Sequence, residues 1–416
     1  MTFNRPITQT ASDTGEEPFA IEEIFYSRTD KRGIIRAGNQ VFRRVSGFEW
    51  DRLIDAPHRL VRHPDTPKAV FWQLWKTIQE GKPIAAYVKN RSQSGGWYWV
   101  MAVLVPYEDG YLSGRIKPSG ALFAQAKMIY AEVAAAEQSQ ALAPDKSCEL
   151  MLKRLEEAGF ANYTDFMTSA LEQDLAARDS SLGRSNVAQI RALASINSSL
   201  ESTKTQQTAM LLEFDALQSI PTNMRIIASR LEPSGGPISA ISDNYKFAST
   251  EISRRLEAFS GNESNLCNAM ATIVGEALFL SGVARVLADI LLQFATEDQS
   301  KSPVETAREL PSLTALHAQY SVRAHSAMYH AEQVSMELNQ ACAEIRRMML
   351  GLDTIRVMGR VESGRLGSSG VGLSSTIDQL DTRHAQIGDR LQKLIDLSSA
   401  IKSGINVFQR QTSTKK

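Results

Sequence analysis

The chain has 416 residues, with 46 basic and 46 acidic side chains and 43% hydrophobic residues. This length allows two or three domains with hydrophobic cores. The balanced charge excludes a whole-chain field that would attract nucleic acid or an anionic membrane. Three widely spaced cysteines (Cys148, Cys267 and Cys342) argue against a disulfide framework and favour a reducing cytoplasm. No Cys/His cluster has the spacing of a zinc site, so we expect no metal centre.

Neither the N-terminal segment nor the most apolar window of the chain has the features of a targeting or membrane segment. Residues 1–20 are polar, lack the basic-then-apolar run of a signal peptide, and are expected to form a mobile tail. The most apolar window, 277–294, is interrupted by Arg285 and Asp289, whereas a bilayer needs roughly 20 apolar residues. We therefore predict a packing helix there and a cytoplasmic protein without a membrane span.

Residues 21–118 show the pattern of a small α+β domain. Asn39 is a suitable N-cap for a helix over 40–46, and Pro67 can start a helix over 68–79. Turn residues separate five strand-like runs, namely Ile24–Ser27, Ile34–Ala37, Ile84–Asn90, Trp97–Val105 and Tyr111–Ile116. The element order β-β-α-α-α-β-β-β is typical of a PAS domain, a five-stranded antiparallel sheet that holds a ligand against short helices.

The specific motifs of this domain are Asn39, the Phe71…Trp75 helix, and the runs Pro57-His58-Arg59-Leu60-Val61-Arg62-His63-Pro64-Asp65-Thr66-Pro67, Val88-Lys89-Asn90-Arg91 and Gly96-Trp97-Tyr98-Trp99-Val100. Over roughly residues 22–118 they resemble the PAS domain of aerotaxis receptors. The resemblance implies non-covalent binding of FAD and a report of its redox state. By position, it implies roles in flavin binding or signalling for Asn39, Arg62, His63, Asp65, Trp75 and Asn90. Two departures are Ala85-Ala86, where members often carry a larger residue and a glycine, and the lack of a following membrane anchor.

The chemistry of these residue types agrees with a flavin. An isoalloxazine ring needs a stacking surface, which could be Trp75, Trp97 or Trp99. Asn39 and Asn90 could donate to its carbonyls, and the guanidinium of Arg62 could bind phosphate through two parallel hydrogen bonds.

Two other interpretations of the same residues remain open. In the first, His63 only caps its loop and Asp65 is an ordinary helix N-cap. In the second, the PAS domain binds haem through a histidine. His58 and His63 precede the helix where such ligands usually lie, so we rank haem below FAD.

The rest of the chain is predicted to be helical. Residues 119–180 form a connector, and a signalling rod occupies 181–412. Apolar residues at alternating steps of three and four predict coiled-coil seams. The most regular seam is Leu373, Ile377, Leu380, His384, Ile387, Leu391, Leu394, Ser398, Ile401, Ile405 and Phe408. The seams divide into hairpin 1, about 185–296 with its tip at 221–237, and hairpin 2, about 312–412 with its tip at 357–372.

An internal repeat supports these two hairpins. Shifted by 135 residues, Arg225–Leu256 aligns without gaps with Arg360–Leu391, and the shared residues include positions outside the seam. Four helices in up-down order place both tips at one end of a four-helix bundle. This layout resembles the cytoplasmic rod of methyl-accepting chemotaxis proteins, which implies a histidine kinase and a coupling protein as partners of the tips. The Asn-rich approach to the tip and the Glu-Glu or Gln-Glu methylation pairs of that family are absent.

These observations favour a cytoplasmic redox or oxygen sensor in which an FAD-binding PAS domain controls a helical signalling bundle. The alternative is a cofactor-free PAS interaction scaffold with a structural coiled coil that forms a homodimer. No P-loop, GxSxG, HExxH or GGDEF motif occurs in the sequence. We therefore predict no enzymatic activity and no nucleic-acid partner.

Overall fold

The computed structural model describes residues 15–184, 187–231, 235–260, 265–297, 306–367 and 371–413. The chain divides into two compact units. The first consists of residues up to 186 together with 275–326, and the second of 187–274 together with 327–416.

The first unit contains the predicted five-stranded antiparallel sheet. Its strands are β1 (Phe25–Asp30), β2 (Ile35–Gly38), β3 (Ile84–Arg91), β4 (Trp97–Tyr107) and β5 (Gly110–Ile116). They pair in the order β2-β1-β5-β4-β3. The β1–β2 turn is closed by Asp30, whose carboxylate accepts hydrogen bonds from the backbone N–H of Arg32 at 2.9 Å and of Ile34 at 3.0 Å. The α+β architecture expected for this part of the chain is confirmed.

Two sets of helices pack around this sheet. Between β2 and β3 lie α1 (Gln40–Ser46), α2 (Trp50–Leu53), a 3-10 turn (His58–Val61) and α3 (Lys68–Gln79). After β5 come α4 (Leu122–Ser139), α5 (Pro144–Glu157) and α6 (Tyr163–Ser181), where the connector was predicted. Side chains alternate between faces along a strand. We call the face towards α3 the inner face and the opposite face the outer face.

The outer face also receives residues from far along the chain. In β5, Gly114 lies where an added Cβ would come within 2.7 Å of Val286 and Ile290, both on α10 (Leu266–Thr296). The ring of Tyr26 meets Phe294 edge to face at 4.9 Å. The close approach of this helix to the sheet therefore depends on a residue without a side chain.

The second unit is a bundle of long helices. It contains α7 (Val187–Gln218), α8 (Ile220–Arg230), α9 (Gly236–Ser260), α12 (Val371–Ser413) and parts of α10 and α11 (Thr306–Leu366). Within the described side chains, the predicted α12 seam is buried throughout from Leu373 to Ile405. In α7, two polar residues four positions apart, Thr203 and Gln207, are also buried. The heptad pattern thus identified the buried face of these helices.

The internal repeat has a physical counterpart in this bundle. Arg225 forms an ion pair with Asp243, and the equivalent residues Arg360 and Asp378 pair at 2.9 Å. Each pair joins the two helices that flank one predicted tip. Tip residues 232–234 and 368–370 lie outside the described residues, and the described part of the first tip is helical up to Arg230.

Several details differ from the sequence-based boundaries. Of the predicted tail, residues 1–14 lie outside the described residues, but Phe19 is only 6% exposed. The part of hairpin 1 that follows its tip consists of two helices, α9 and α10, with 261–264 outside the described residues. Hairpin 2, predicted from about 312, begins within a helix, since α11 starts at Thr306 and contains Pro311. Residues 275–326, assigned to the rod, belong to the first compact unit.

One helix in the described part of the chain, α10, is long and apolar enough to cross a membrane by length and composition alone. Its most apolar 18-residue window has a mean hydropathy of 1.7, and 67% of that window is buried inside the structure. This burial is the feature expected of a core helix.

Gly114 provides a test of the packing on the outer face. Gly114→Val should lower the free energy of unfolding by about 1–3 kcal/mol, because two γ-methyl groups must displace Val286 and Ile290. Unfolding can be followed by tryptophan fluorescence, since all five tryptophans lie between residues 50 and 99. Gly275→Ala is the control, because an added Cβ there meets nothing within 4 Å. Equal stability of the two variants would contradict the packing described.

His384 predicts a pH dependence of the second unit. Its Nε2 lies 2.7 Å from the hydroxyl of Tyr245 and its Nδ1 lies 3.1 Å from the carboxylate of Asp353. Burial is the largest influence and lowers the pKa of His384 below 6.5, against the opposing effect of Asp353. The unfolded chain therefore binds a proton that the folded unit does not, and stability is lost as pH falls below about 6.5.

The measurement is urea unfolding by far-UV circular dichroism at pH 7.5 and 5.5. We expect His384→Gln to reduce the loss of stability between these two values. His330→Gln, at an exposed histidine of the same unit, should leave that loss unchanged. A wild-type protein with equal stability at both pH values would contradict the expected titration.

Candidate functional site

A pocket lies between the inner face of the sheet and the segment that contains the 3-10 turn and α3. It contains about 690 Å³ of space free of atoms, a volume that includes the open solvent at its mouth. Its floor consists of inward-facing strand residues, and its wall of the 3-10 turn and α3. The lining residues with polar or aromatic groups include Ser27, Thr29, His58, Arg62, Phe71, Trp75, Asn90, Tyr111, Ser113 and Arg115.

Three of the eight predicted site residues line this pocket: Arg62, Trp75 and Asn90. The backbone of Arg62 forms an isolated antiparallel bridge with Asn90, so the loop after the 3-10 turn is joined to β3. The guanidinium of Arg62 lies 3.4 Å from the centre of the Phe71 ring. Burial, followed by repulsion from Arg59, lowers the pKa of Arg62 to about 10. Arg62 therefore remains a cation at neutral pH.

Trp75 forms the aromatic part of the wall. Its ring meets Tyr111 edge to face at 5.7 Å. Gly33 makes room for it, because an added Cβ would lie 3.1 Å from two ring atoms of Trp75. Gly33 also has a φ of +77°, which favours glycine.

Asn39 lies away from the pocket lining and holds local structure together. Its side-chain oxygen accepts from the backbone N–H of Phe42 at 3.2 Å, as an N-cap, and from that of Tyr26 at 2.9 Å. Its amide donates to the carbonyl of Ile24 at 2.8 Å and to Glu297 at 2.9 Å. The structure thus gives Asn39 four hydrogen bonds, while its role with a cofactor stays a prediction.

His63 and Asp65 also lie outside the pocket lining. The backbone N–H of Asp65 donates to Nδ1 of His63 at 3.1 Å, and the carboxylate of Asp65 forms an ion pair with Lys89 at 2.6 Å. Burial, followed by Lys89, lowers the pKa of His63. These contacts hold the loop against β3, so any effect of either residue on a ligand would be indirect.

Trp97 and Trp99 belong to the opposite face of the sheet. The ammonium of Lys89 lies 4.6 Å from the ring centre of Trp97. Trp99 meets Phe123 of α4 edge to face at 5.4 Å. Because Ala102 and Leu104 of the same strand line the pocket, the odd-numbered positions Trp97 and Trp99 point away from it. Their predicted stacking role stays untested.

Sequence reasoning missed Arg115 as a pocket residue and considered His58 only for haem. One guanidinium nitrogen of Arg115, Nη2, lies 2.9 Å from the hydroxyl of Ser27 and 2.6 Å from Nε2 of His58. Arginine can only donate, so Nε2 of His58 accepts and the ring proton is on Nδ1. Burial, followed by the charges of Arg115 and Arg62, lowers the pKa of His58 well below 6.5. The alternation Tyr111, Ser113, Arg115 in β5 was the signal available in the sequence.

The charged side chains that line the pocket are all positive among the described residues. Two guanidinium groups, Arg62 and Arg115, line it, and no aspartate or glutamate occurs among the described lining residues. Nor do the described residues contain a group of three or more His, Cys, Asp or Glu placed to hold a metal ion. The arrangement suits a ligand that combines an aromatic surface with negative charge or electron-rich oxygens.

Comparison with known proteins agrees with this geometry. The family model described as "PAS fold" matches residues 36–113. The N-terminal domain is a PAS domain. The chain is 36% identical over 128 residues to the "Aerotaxis receptor" of Escherichia coli (strain K12), which is 30% of this chain and 25% of the receptor. It is 29% identical over 83 residues to the "Nitrogen fixation regulatory protein" of Klebsiella pneumoniae, which is 20% of this chain and 17% of that protein.

The chain therefore spans a quarter or less of the length of these curated relatives. Among solved structures, "The light state structure of the blue-light photoreceptor Aureochrome1 LOV" matches 29% of this chain and 93% of that chain, with 16% identity and a TM-score of 0.22.

Gly33 and Gly81 offer a matched test of the pocket wall of the PAS domain. Their φ values are +77° and +78°, so an alanine at either position costs roughly 1–2 kcal/mol of backbone strain. Only Gly33 faces Trp75, since Gly81 has nothing within 4 Å. We expect Gly33→Ala to lose more stability than Gly81→Ala, because the added Cβ also displaces the Trp75 ring. We expect only Gly33→Ala to change the fluorescence contributed by Trp75, measured as the difference from a Trp75→Phe background. Identical spectra for both variants would contradict this wall.

Proposed function

We propose that the PAS domain binds FAD without a covalent bond and reports the cofactor's redox state to the helices packed on the outer face of its sheet. The proposal makes the protein a cytoplasmic redox or oxygen sensor and not an enzyme. It is supported by the similarity to an aerotaxis receptor and by the cationic, aromatic pocket. FAD supplies reversible uptake of electrons and protons at its ring system.

The residues of the pocket fit this cofactor. Trp75, with Tyr111 behind it, gives an aromatic surface, and the buried amide of Asn90 is a donor for a ring carbonyl. Arg62 is less deeply buried than Arg115 and suits the phosphates, which keep part of their hydration. Arg115 has a buried Nη1 with no hydrogen-bond partner among the described residues, so the pocket still has a donor to satisfy.

Haem fits the same pocket less well. A histidine ligand of iron must offer the lone pair of a ring nitrogen. Nε2 of His58 already accepts a hydrogen bond from Arg115, and Nδ1 of His63 accepts one from the backbone of Asp65. Both nitrogens would have to give up these bonds before they could bind iron.

The observation that carries the sensory function is the double role of β1. Ser27 and Thr29 of this strand line the pocket. Their neighbours face the other way, where the hydroxyl of Tyr26 donates to Glu309 at 2.5 Å and Arg28 forms an ion pair with Glu309 at 2.6 Å. Glu309 lies in the first turn of α11. A change of hydrogen bonding at Ser27 would therefore displace residues that hold the start of a signalling helix.

The proposed output is a change in the binding of partner proteins by the helical unit. The likeness of the rod to chemotaxis proteins makes a histidine kinase and its coupling protein the partners to test at the two tips. Pull-down of purified kinase and coupling protein by the full chain should succeed if this is correct. The alternative, a cofactor-free scaffold, predicts no binding by either tip and a PAS domain that forms homodimers.

An absorption spectrum tests cofactor binding. The full chain, incubated with FAD and passed through a desalting column, should retain a flavin spectrum. Arg62→Met and Asn90→Ala should lose it, because they remove a phosphate donor and a ring donor, with roughly tenfold or greater weakening each. Arg59→Met is the matched control, since Arg59 lies in the same turn but is exposed and outside the lining.

A folded protein that takes up no FAD would overturn the proposal and favour the scaffold. A Soret band in the purified protein would replace FAD by haem.

Hydrogen exchange tests the route through β1. We expect the peptides that cover 306–326 to exchange at different rates with oxidised and with reduced FAD. The proposed reason is that a change at the cofactor alters the hydrogen bond of Tyr26 and the ion pair of Arg28 with Glu309. Glu309→Gln should remove most of this difference by weakening the ion pair. Glu49→Gln is the control, since Glu49 forms its ion pair with Arg43 of the same domain. An unchanged difference in Glu309→Gln would exclude this route.

A further inference from the structure

Arg115 is a buried cation without a counter-charge. It lies on the inner side of β5 and is 4% exposed. Its Nη2 is used by Ser27 and His58, both of which are neutral. Its Nη1 is buried and has no hydrogen-bond partner among the described residues. The guanidinium also lies 5.5 Å from the centre of the Phe42 ring.

This arrangement is costly for the protein alone. Buried charges are normally paired, and the bonds of Nη2 and the contact with Phe42 offset only part of the cost of removing this cation from water. In the described ranges no carboxylate forms an ion pair with Arg115, whereas Arg28 on the outer face of the same sheet pairs with Glu309 at 2.6 Å. Burial lowers the pKa of Arg115 only to about 10, so the charge persists at neutral pH.

We propose that Arg115 is the ring-recognition residue of the pocket, and that the ligand supplies the missing acceptor as an electron-rich oxygen on a planar heteroaromatic ring. Nη1 donates to that oxygen, while Ser27 and His58 hold the other nitrogen and fix the plane of the guanidinium. The assignment of the ring to a flavin rests on the proposed function. The demand for an acceptor at Arg115 rests only on the contacts above.

The position of Arg115 favours a ring oxygen over a phosphate. A carbonyl or imide oxygen is stripped of water at moderate cost, whereas a phosphate carries full charges that are expensive to bury. Arg115 lies at the floor on the sheet, and the more exposed Arg62 lies on the loop wall. In this proposal Arg115 binds the ring of the ligand and Arg62 binds its phosphates.

The test uses the full chain with FAD and with riboflavin, which has the ring but no phosphate. Arg115→Met keeps the length of the side chain and removes its charge and donors. We expect it to weaken both ligands by roughly 10- to 100-fold, as for the loss of a charged hydrogen bond. Arg62→Met should weaken FAD and leave riboflavin within about threefold. Affinities are measured by quenching of flavin fluorescence.

The ligand-free protein gives a second, independent readout. Because Arg115→Met removes an unpaired buried charge, it should raise the Tm of the flavin-free full chain by a few degrees when both proteins also carry His58→Phe, so that no ring nitrogen loses its donor. Unfolding is followed by tryptophan fluorescence. A merely structural arginine would give the opposite sign. Arg115→Lys keeps a charge without the planar fork, and it should also lose riboflavin binding. It serves as the binding variant if Arg115→Met does not fold.

Three other results would contradict the proposal or the function on which it rests. A lower Tm for flavin-free Arg115→Met together with unchanged riboflavin binding would overturn the proposal and make Arg115 structural. Weakening of FAD alone would move Arg115 to the phosphates and overturn the ring assignment. If the wild type binds neither flavin, the proposed function fails. The Tm of the flavin-free protein then tests the inference alone: a rise in Arg115→Met means that the unpaired charge destabilises the ligand-free fold, and a fall means that Arg115 is structural.

Discussion

The alternation of side chains along β1 is the constraint on which the first unit depends. Successive residues of a strand must point to opposite faces, so a strand that lines a pocket has every second side chain free for another partner. In β1 those partners are helices that follow some 280 residues later in the chain, as the contact of Arg28 with Glu309 shows. Pocket and helices are therefore joined through one short stretch of backbone.

The distribution of charge across the sheet follows the same division. On the outer face, Arg28 meets the carboxylate of Glu309, and the amide of Asn39 meets Glu297. On the inner face, Arg62 and Arg115 line a pocket whose described lining contains no carboxylate. The sheet thus pairs the guanidinium of Arg28 on one face and leaves that of Arg115 without a carboxylate partner among the described residues on the other. This contrast is the physical argument behind the proposed ligand-binding role of the PAS domain.

The second unit shows how far a repeated sequence determines a helical bundle. Arg225–Asp243 and Arg360–Asp378 are equivalent ion pairs, one in each half of the repeat. The halves are not identical, however, because His384 occupies a core position where the first half has Ser249, and Tyr245 and Asp353 bond to the imidazole. The two halves of the repeat therefore place different polar groups at equivalent buried positions.

The sequence by itself determined the local elements and their buried faces. Period-two and heptad patterns placed the five strands and the α12 seam correctly, since these patterns depend on neighbours a few residues apart. The motif resemblance identified three residues that line the pocket, Arg62, Trp75 and Asn90. Only the tertiary structure decided that Arg115 and His58 share the pocket with them, that Asn39 bonds to Glu297, and that Glu309 binds β1. Those contacts join residues tens to hundreds of positions apart, and no local period records which distant side chain will meet a given face.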